Sequence, residues 1–310
     1  MILNVVGVGA LCGGLGAATT AVAQRILSAN GILDRPNERS LHANPVVRGA
    51  GISMSVVWVG VALVASLTLG RPEGSLALVA MAGCLSALGL VDDIRHLSPL
   101  LRFAIELAVC AAAMSGGLAP EAVTLPGGLA LHLGGIAIPL WTLWGVLVIN
   151  LFNFMDGIDG LAASQTLVSA IVIGIIGVAL HLTLLSVLGI ALAGVAAGFL
   201  PFNWNPARCF MGDAGSYFCG AALAGIWLLG KKEGVSLLVL GFPAIGFFLD
   251  AAITLCIRTL RGQRPWRAHR SHLYQRLVMR GWPQTSVMLG YAALAVSLSI
   301  LDISQFVRVR

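Results

Sequence analysis

Charge is scarce in this 310-residue chain: Asp, Glu, Lys and Arg make up 10% of it, with 13 acidic residues in all. Soluble domains carry about 25%. Together with 58% hydrophobic residues and a mean hydropathy of +0.92, the shortage excludes a soluble globular enzyme. Polar–apolar alternation over about ten residues is also absent, which excludes the strands of a membrane barrel. The six cysteines (Cys12, Cys84, Cys110, Cys209, Cys219 and Cys256) form no CxxC pair, and all but Cys209 fall in apolar runs, so they read as small packing residues. No Lys or Arg precedes the first apolar run; the first, Arg25, follows it. That order is the reverse of a secretory signal, although Ala21, Val22 and Ala23 resemble a cleavage site. The run is read as a retained helix with its N-terminus outside. No repeat and no low-complexity linker is visible, so residues 1–310 read as a single membrane-embedded domain. No strand precedes Gly7, Gly9, Gly13, Gly14 and Gly16, which therefore suit close helix packing rather than a dinucleotide loop.

What the chain does have is apolar runs of spanning length, about 20 residues each. They lie near 3–24, 50–70, 75–91, 101–118, 136–152, 161–180, 183–200, 216–230, 235–257 and 285–302. The expected fold class is all-α, a polytopic membrane protein with about ten transmembrane helices. On this layout 14 of the 19 basic residues fall in the odd-to-even connections. The positive-inside rule puts those connections in the cytoplasm and both termini outside. The net charge of +6 thus reports topology and does not point to nucleic acid. Two spans separate Asp93 from Asp156, Asp159 from Asp213, and Asp213 from His269. Each pair of spans returns the chain to the same side, so the site is expected on the cytoplasmic face.

Carboxylates near hydrocarbon are costly, and acids gathered in the breaks between spans mark a functional site. Asn150, Asn153, Asp156 and Asp159 recur every three residues around the end of the fifth span, with Gly157 and Gly160 permitting turns. Helix capping would need one such Asp-Gly, not two with two asparagines in register. Phe210, Met211, Gly212 and Asp213 open the eighth span, where free N–H groups suit an anion and Phe210 a stacked base. Asp92 and Asp93 close the third span, against the helix dipole, and adjacent carboxylates suit Mg²⁺ with a substrate phosphate. Residues 258–280 hold seven arginines with His269 and His272; His269, Arg270 and His272 suit a phosphate clamp, and the remaining arginines suit anchoring. Segment 34–51, with Arg48, is a second basic loop, and anchoring accounts for it equally well. Asp250 lies inside the ninth span, where a structural partner and a catalytic role are both open. Acids, a cation, an aromatic and Arg/His clamps at a membrane surface suit phosphoryl transfer between a nucleotide-sugar and a lipid phosphate.

The blocks Val91–Asp93, Asn150–Leu161, Phe210–Ser216, His42–Gly51 and His269–Arg276 resemble the polyprenyl-phosphate N-acetylhexosamine-1-phosphate transferases. They occupy all five cytoplasmic connections in family order. The resemblance implies transfer of N-acetylhexosamine-1-phosphate from a UDP-sugar to undecaprenyl phosphate, giving undecaprenyl-diphosphate-sugar and UMP. It implies Asp213 as a ligand of Mg²⁺, with Mn²⁺ as the alternative, and Asp92 with Asp93 by the lipid phosphate as catalytic residues. Asn153, Asp156 and Asp159 would shape the nucleotide pocket, Phe210 would stack on uracil, and His269, Arg270, His272 and Arg48 would hold substrate. The setting implied is the bacterial inner membrane; a homodimer is left open.

Consecutive histidines mark the muramoyl-pentapeptide branch of peptidoglycan synthesis, whereas this chain reads Ala268, His269, Arg270, Ser271, His272. That favours the branch initiating O-antigen or similar surface glycans. Ala50 replaces a usual glycine. A transporter or flippase is the rival from another class. It would place polar residues near the midplane in related halves.

Overall fold

The computed structural model describes residues 2–36, 44–124, 130–263 and 269–308, and about three-quarters of them are helical. The helices are α1 (Ile2–Ala29), α2 (Ile52–Thr68), α3 (Ser75–Arg95), α4 (Pro99–Ala113), α5 (Ala137–Phe154) and α6 (Leu161–Ala179). They continue as α7 (Thr183–Asn203), α8 (Gly212–Lys232), the short α9 (Leu237–Gly241), α10 (Ile245–Leu260), the short α11 (Leu273–Met279) and α12 (Gln284–Arg308). Hydrocarbon offers peptide groups no partner, so a helix, which satisfies its own, is the form such runs take. Among the described residues, 8 helical segments are long and apolar enough to cross a membrane. The other two of the expected ten are α2, an apolar helix of 17 residues, and α8, 21 residues opening on Gly212 and Asp213. The chain is a polytopic membrane protein.

Three local features depart from the expected plan. Two small antiparallel hairpins interrupt the all-α design: β1 (Leu33–Asp34) with β2 (Val46–Val47), and β3 (Ala122–Thr124) with β4 (Ala130–His132). The expected ninth span is broken, because Pro243 supplies no N–H and a 3₁₀ turn at Phe242–Ala244 separates α9 from α10. The basic segment after α10 is not all loop, since α11 forms inside it.

The centre of the bundle is α8, buried at every residue from Asp213 to Gly230 and packed between α3 and α5. Its small residues permit this. On α3, Gly89 lies directly against the Asp213 carbonyl, where any Cβ would collide with the backbone. That contact draws the C-terminal end of α3 onto the N-terminal end of α8 and sets Asp92 and Asp93 beside Asp213. A second layer packs α7 against α1 and α6. Outer helices such as α1, α4 and α12 turn most of their apolar surface outward, as lipid-facing helices do. At the opposite end of the bundle, Lys232 Nζ bonds Glu73 at 2.9 Å and the Gly117 carbonyl at 2.5 Å.

Candidate active site

Four separate segments converge where α3 meets α8. Gly212 starts α8 with a φ of 66°, and a Cβ there would strike both the Asp93 carboxylate and the Gly49 amide. The free N–H groups that follow point at Asp93: its Oδ1 accepts from Asp213 N at 2.9 Å and its Oδ2 from Ala214 N at 3.0 Å. An acid that opposes the dipole of its own helix α3 is thereby stabilised at the N-terminus of another. The segment carrying Arg48 is fastened to the same place. Phe210 N donates to Val47 O at 2.8 Å, and Ala50 N to Phe210 O at 3.1 Å. Ala50 itself is fully buried, so the methyl that departs from the family glycine is accommodated.

Asp213 is the hub. Its Oδ2 accepts from Arg48 Nη2 at 3.2 Å and from Arg102 Nη1 at 3.4 Å. Asn153 Nδ2 donates to its Oδ1 at 2.8 Å and to Ser216 Oγ at 2.8 Å. Arg48 Nε also reaches Asp93 Oδ1 at 2.6 Å, and Arg102 Nη1 reaches Asp92 Oδ2 at 2.5 Å. Asp92 Oδ1 accepts from Leu97 N at 2.7 Å, in the turn that ends α3. The Arg48 and Arg102 side chains stay 28% and 27% exposed, while Asp93 is at 0%. An incoming phosphate can therefore reach the guanidiniums. Asp93, expected beside the lipid phosphate, instead has its oxygens filled by α8 and Arg48.

Asp156 follows α5 in a turn closed by Asp156 N and Asn153 O at 3.2 Å. Its half-buried carboxylate makes no hydrogen bond or ion pair among the described residues, and it faces Asp213 and Asp93. Burial first, then those two carboxylates, push it up to about 8. Asp159 is placed differently from expectation. Its Oδ2 accepts from Asn205 Nδ2 at 2.8 Å and Ala207 N at 2.9 Å, so it pins the α7–α8 connection rather than joining the acid cluster. Asn150 is likewise spent one turn deeper, on Glu106 Oε2 at 2.5 Å.

The other wall comes from residues 269–274. His272 is buried, stacked against Phe154 at 6.5 Å and Tyr274 at 5.7 Å, with the His269 ring 4.8 Å away. Tyr274 donates to the Phe154 carbonyl at 3.1 Å. The turn at 153–156 thus touches the acid cluster through Asn153 and the histidines through Phe154. Burial lowers both imidazoles, His269 to about 4, with the nearby Arg258 acting in the same direction, so both are neutral at pH 7. Phe210 is half-buried at the start of α8. His42, Arg39, Trp266 and Arg267 lie outside the described residues.

Two further residues belong to this geometry. Arg102 counts in the sequence only as a topology charge, yet it bridges Asp92 and Asp213. Asp250, left open above, takes Leu273 N at 2.7 Å, Tyr274 N at 3.2 Å, Tyr291 OH at 2.7 Å and Thr254 Oγ1 at 3.3 Å, and so is the structural clasp of α11.

The donor set suits a divalent cation. The carboxyls of Asp92 and Asp213 approach within hydrogen-bonding reach, and the Arg102 guanidinium that bridges them offsets part of their repulsion. Asp156 adds a carboxylate without a partner. No group of three acids, histidines or cysteines converges closely enough among the described residues to enclose an ion without substrate.

Residues 75–231, from the start of α3 almost to the end of α8, match the family model described as glycosyl transferase family 4. The match covers half of the chain and includes Asp92, Asp93, Asn153, Asp156 and Asp213; the chain belongs to this family. It is 30% identical over 267 residues to the probable undecaprenyl-phosphate N-acetylglucosaminyl 1-phosphate transferase of Bacillus subtilis, covering 84% of this chain and 74% of the relative. It is 32% identical over 286 residues to the decaprenyl-phosphate N-acetylglucosaminephosphotransferase of Mycolicibacterium smegmatis, covering 81% and 70%. The phospho-N-acetylmuramoyl-pentapeptide-transferase of Desulforudis audaxviator matches at 31% identity over 188 residues, covering 59% and 54%.

Proposed function

We propose that this protein transfers an N-acetylhexosamine-1-phosphate from a UDP-sugar to undecaprenyl phosphate at the cytoplasmic face of the bacterial inner membrane. An oxygen of the acceptor phosphate attacks the phosphorus that carries the sugar. The bond to the bridging oxygen of UMP breaks, and UMP leaves with the electron pair. The reaction gives undecaprenyl-diphosphate-sugar, the initiating step of a surface glycan such as O-antigen. One observation carries the reading: two reachable guanidiniums and a surplus of carboxylates meet at Asp213, at one end of an apolar bundle.

Arg48 and Arg102 are suited to exchange part of their carboxylate bonding for substrate phosphates and to hold donor and acceptor in line. Asp213, with Asp156 beside it, would hold Mg²⁺ or Mn²⁺, which when bound offsets charge on the diphosphate. Both acids of the pair are buried, and Asp92, with its side chain 6% exposed against 0% for Asp93, is the one suited to act on the acceptor. Asp93 acts through α8 and Arg48. Phe210 offers a face for uracil, while His269, Arg270 and His272 would line the donor side. The absence of consecutive histidines and the longer cover of the N-acetylglucosamine-type relatives favour this branch over muramoyl-pentapeptide transfer. A transporter is disfavoured because the broken α9–α10 element carries Gly241, Phe242, Pro243 and Ala244, with no polar group at the break.

The test is UMP release by purified protein given undecaprenyl phosphate, Mg²⁺ and a panel of UDP-N-acetylhexosamines. Release that EDTA stops and Mg²⁺ restores supports the reading. Substrate flux across vesicles without UMP release contradicts it.

A further inference from the structure

Glu106 is 1% exposed, in the interior of the bundle and one turn along α4 from Arg102. A buried acid inside a span is expensive, and an apolar residue would be more economical there. It makes no ion pair among the described residues. Instead it takes the Asn150 amide at 2.5 Å and lies within hydrogen-bonding reach of the Tyr217 hydroxyl. Each of these three residues sits three or four positions from a member of the site on the same helix. Glu106 follows Arg102 on α4, Asn150 precedes Asn153 on α5, and Tyr217 follows Asp213 on α8. Such spacings share a helix face.

The three helices therefore meet twice. In the outer layer Arg102 and Asn153 meet on Asp213, at 3.4 and 2.8 Å. In the inner layer Asn150 and Tyr217 meet on Glu106. Sliding or turning any one helix against the others breaks both layers. We propose that Glu106 is a positioning residue that holds Arg102, Asn153 and Asp213 in register for phosphoryl transfer. The inference rests on the transferase reading above. Glu106 touches no substrate; it acts through the residues one turn outward.

The experiment measures UMP release and thermal unfolding in detergent for Glu106→Leu, Glu106→Gln, Asn150→Leu, Tyr217→Phe and the double variant Glu106→Leu with Asn150→Leu. Loss of register by about 1 Å is worth about 10²-fold, so Glu106→Leu is expected to lower kcat by about that factor. Its KM for the UDP-sugar should stay within about threefold, because Arg48 is untouched, and kcat is read per folded molecule, because Asn150 and Tyr217 lose a buried partner and the unfolding temperature should fall by a few degrees. Glu106→Gln keeps an acceptor for Asn150 and should recover most of kcat. The double variant should be no slower than Glu106→Leu. Wild-type kcat in Glu106→Leu, losses that follow unfolding, or losses that multiply in the double variant overturn the proposal. If Glu106→Leu does not fold, Tyr217→Phe and Asn150→Leu decide: reduced kcat per folded molecule supports it, and wild-type kcat in both overturns it. Failure of the wild type to release UMP removes the transferase reading and this inference together; a normal wild type with an unaffected Glu106→Leu removes only the inference.

Discussion

Asp93 and Asp250 are built alike and end differently. Each lies in one helix and accepts two backbone N–H groups from the start of another: Asp93 from α8, Asp250 from α11. At Asp250 the remaining capacity is filled by Tyr291 and Thr254, and the constellation is closed. At Asp93 the neighbours are Arg48, Asp213 and Asp156, so carboxylates outnumber the guanidiniums that face them. The same capping device is saturated at one place and left with surplus charge at the other. A buried acid alone does not mark a site; an acid whose surroundings remain unbalanced does.

The comparison can be broken in order of expected effect. Asp213→Asn removes charge from the unbalanced cluster while keeping the side chain's shape, and UMP release should fall by about 10³-fold at an unchanged unfolding temperature. Arg102→Ala removes one of the two reachable guanidiniums and should cost about 10²-fold in kcat/KM, with Arg102→Lys recovering part of it because charge returns without the fork. Asp250→Asn belongs to the saturated cluster. It should leave kcat within about threefold but cost about 1–3 kcal/mol of stability, read by denaturant unfolding in detergent. The smallest effect is on pH. His269 and His272 are neutral when folded because burial lowers them, His269 from 6.5 to about 4, with His269 facing His272 and Arg258, and His272 facing Asp250 and Arg258. The unfolded segment takes up protons below its ordinary imidazole value and the folded one does not. Stability here is full above pH 6.5 and drains as pH falls toward 4. The protection of amides 273–279 relative to their intrinsic exchange should fall over that window, and constant protection would show that the imidazoles are not held neutral.

Much of the site was legible in the sequence. Asp92, Asp93, Asn153, Asp156 and Asp213 stand out because acids and amides are scarce in apolar runs, and counting spans returns them to one end of the bundle. What the count misses is direction. The three-residue spacing of Asn150, Asn153, Asp156 and Asp159 suggests one face, but α5 stops at Phe154 and the chain turns. Asp159 then points to the 205–207 connection and not to the acid cluster around Asp213. Arg102 was hidden by its usefulness as a topology charge. Glu106, an acid inside the fourth apolar run, carried a signal of the same kind as Asp250. The break before α10 is announced by Pro243, while the two-residue strands β1 and β2 are too short for any periodicity to reveal.

The most direct test of the contrast between the two acid clusters is UMP release per folded molecule, measured side by side for Asp213→Asn and Asp250→Asn. The account predicts a folded but silent Asp213→Asn and a less stable but active Asp250→Asn. An active Asp213→Asn beside a folded, silent Asp250→Asn would put the chemistry at the wrong end of the comparison and contradict it.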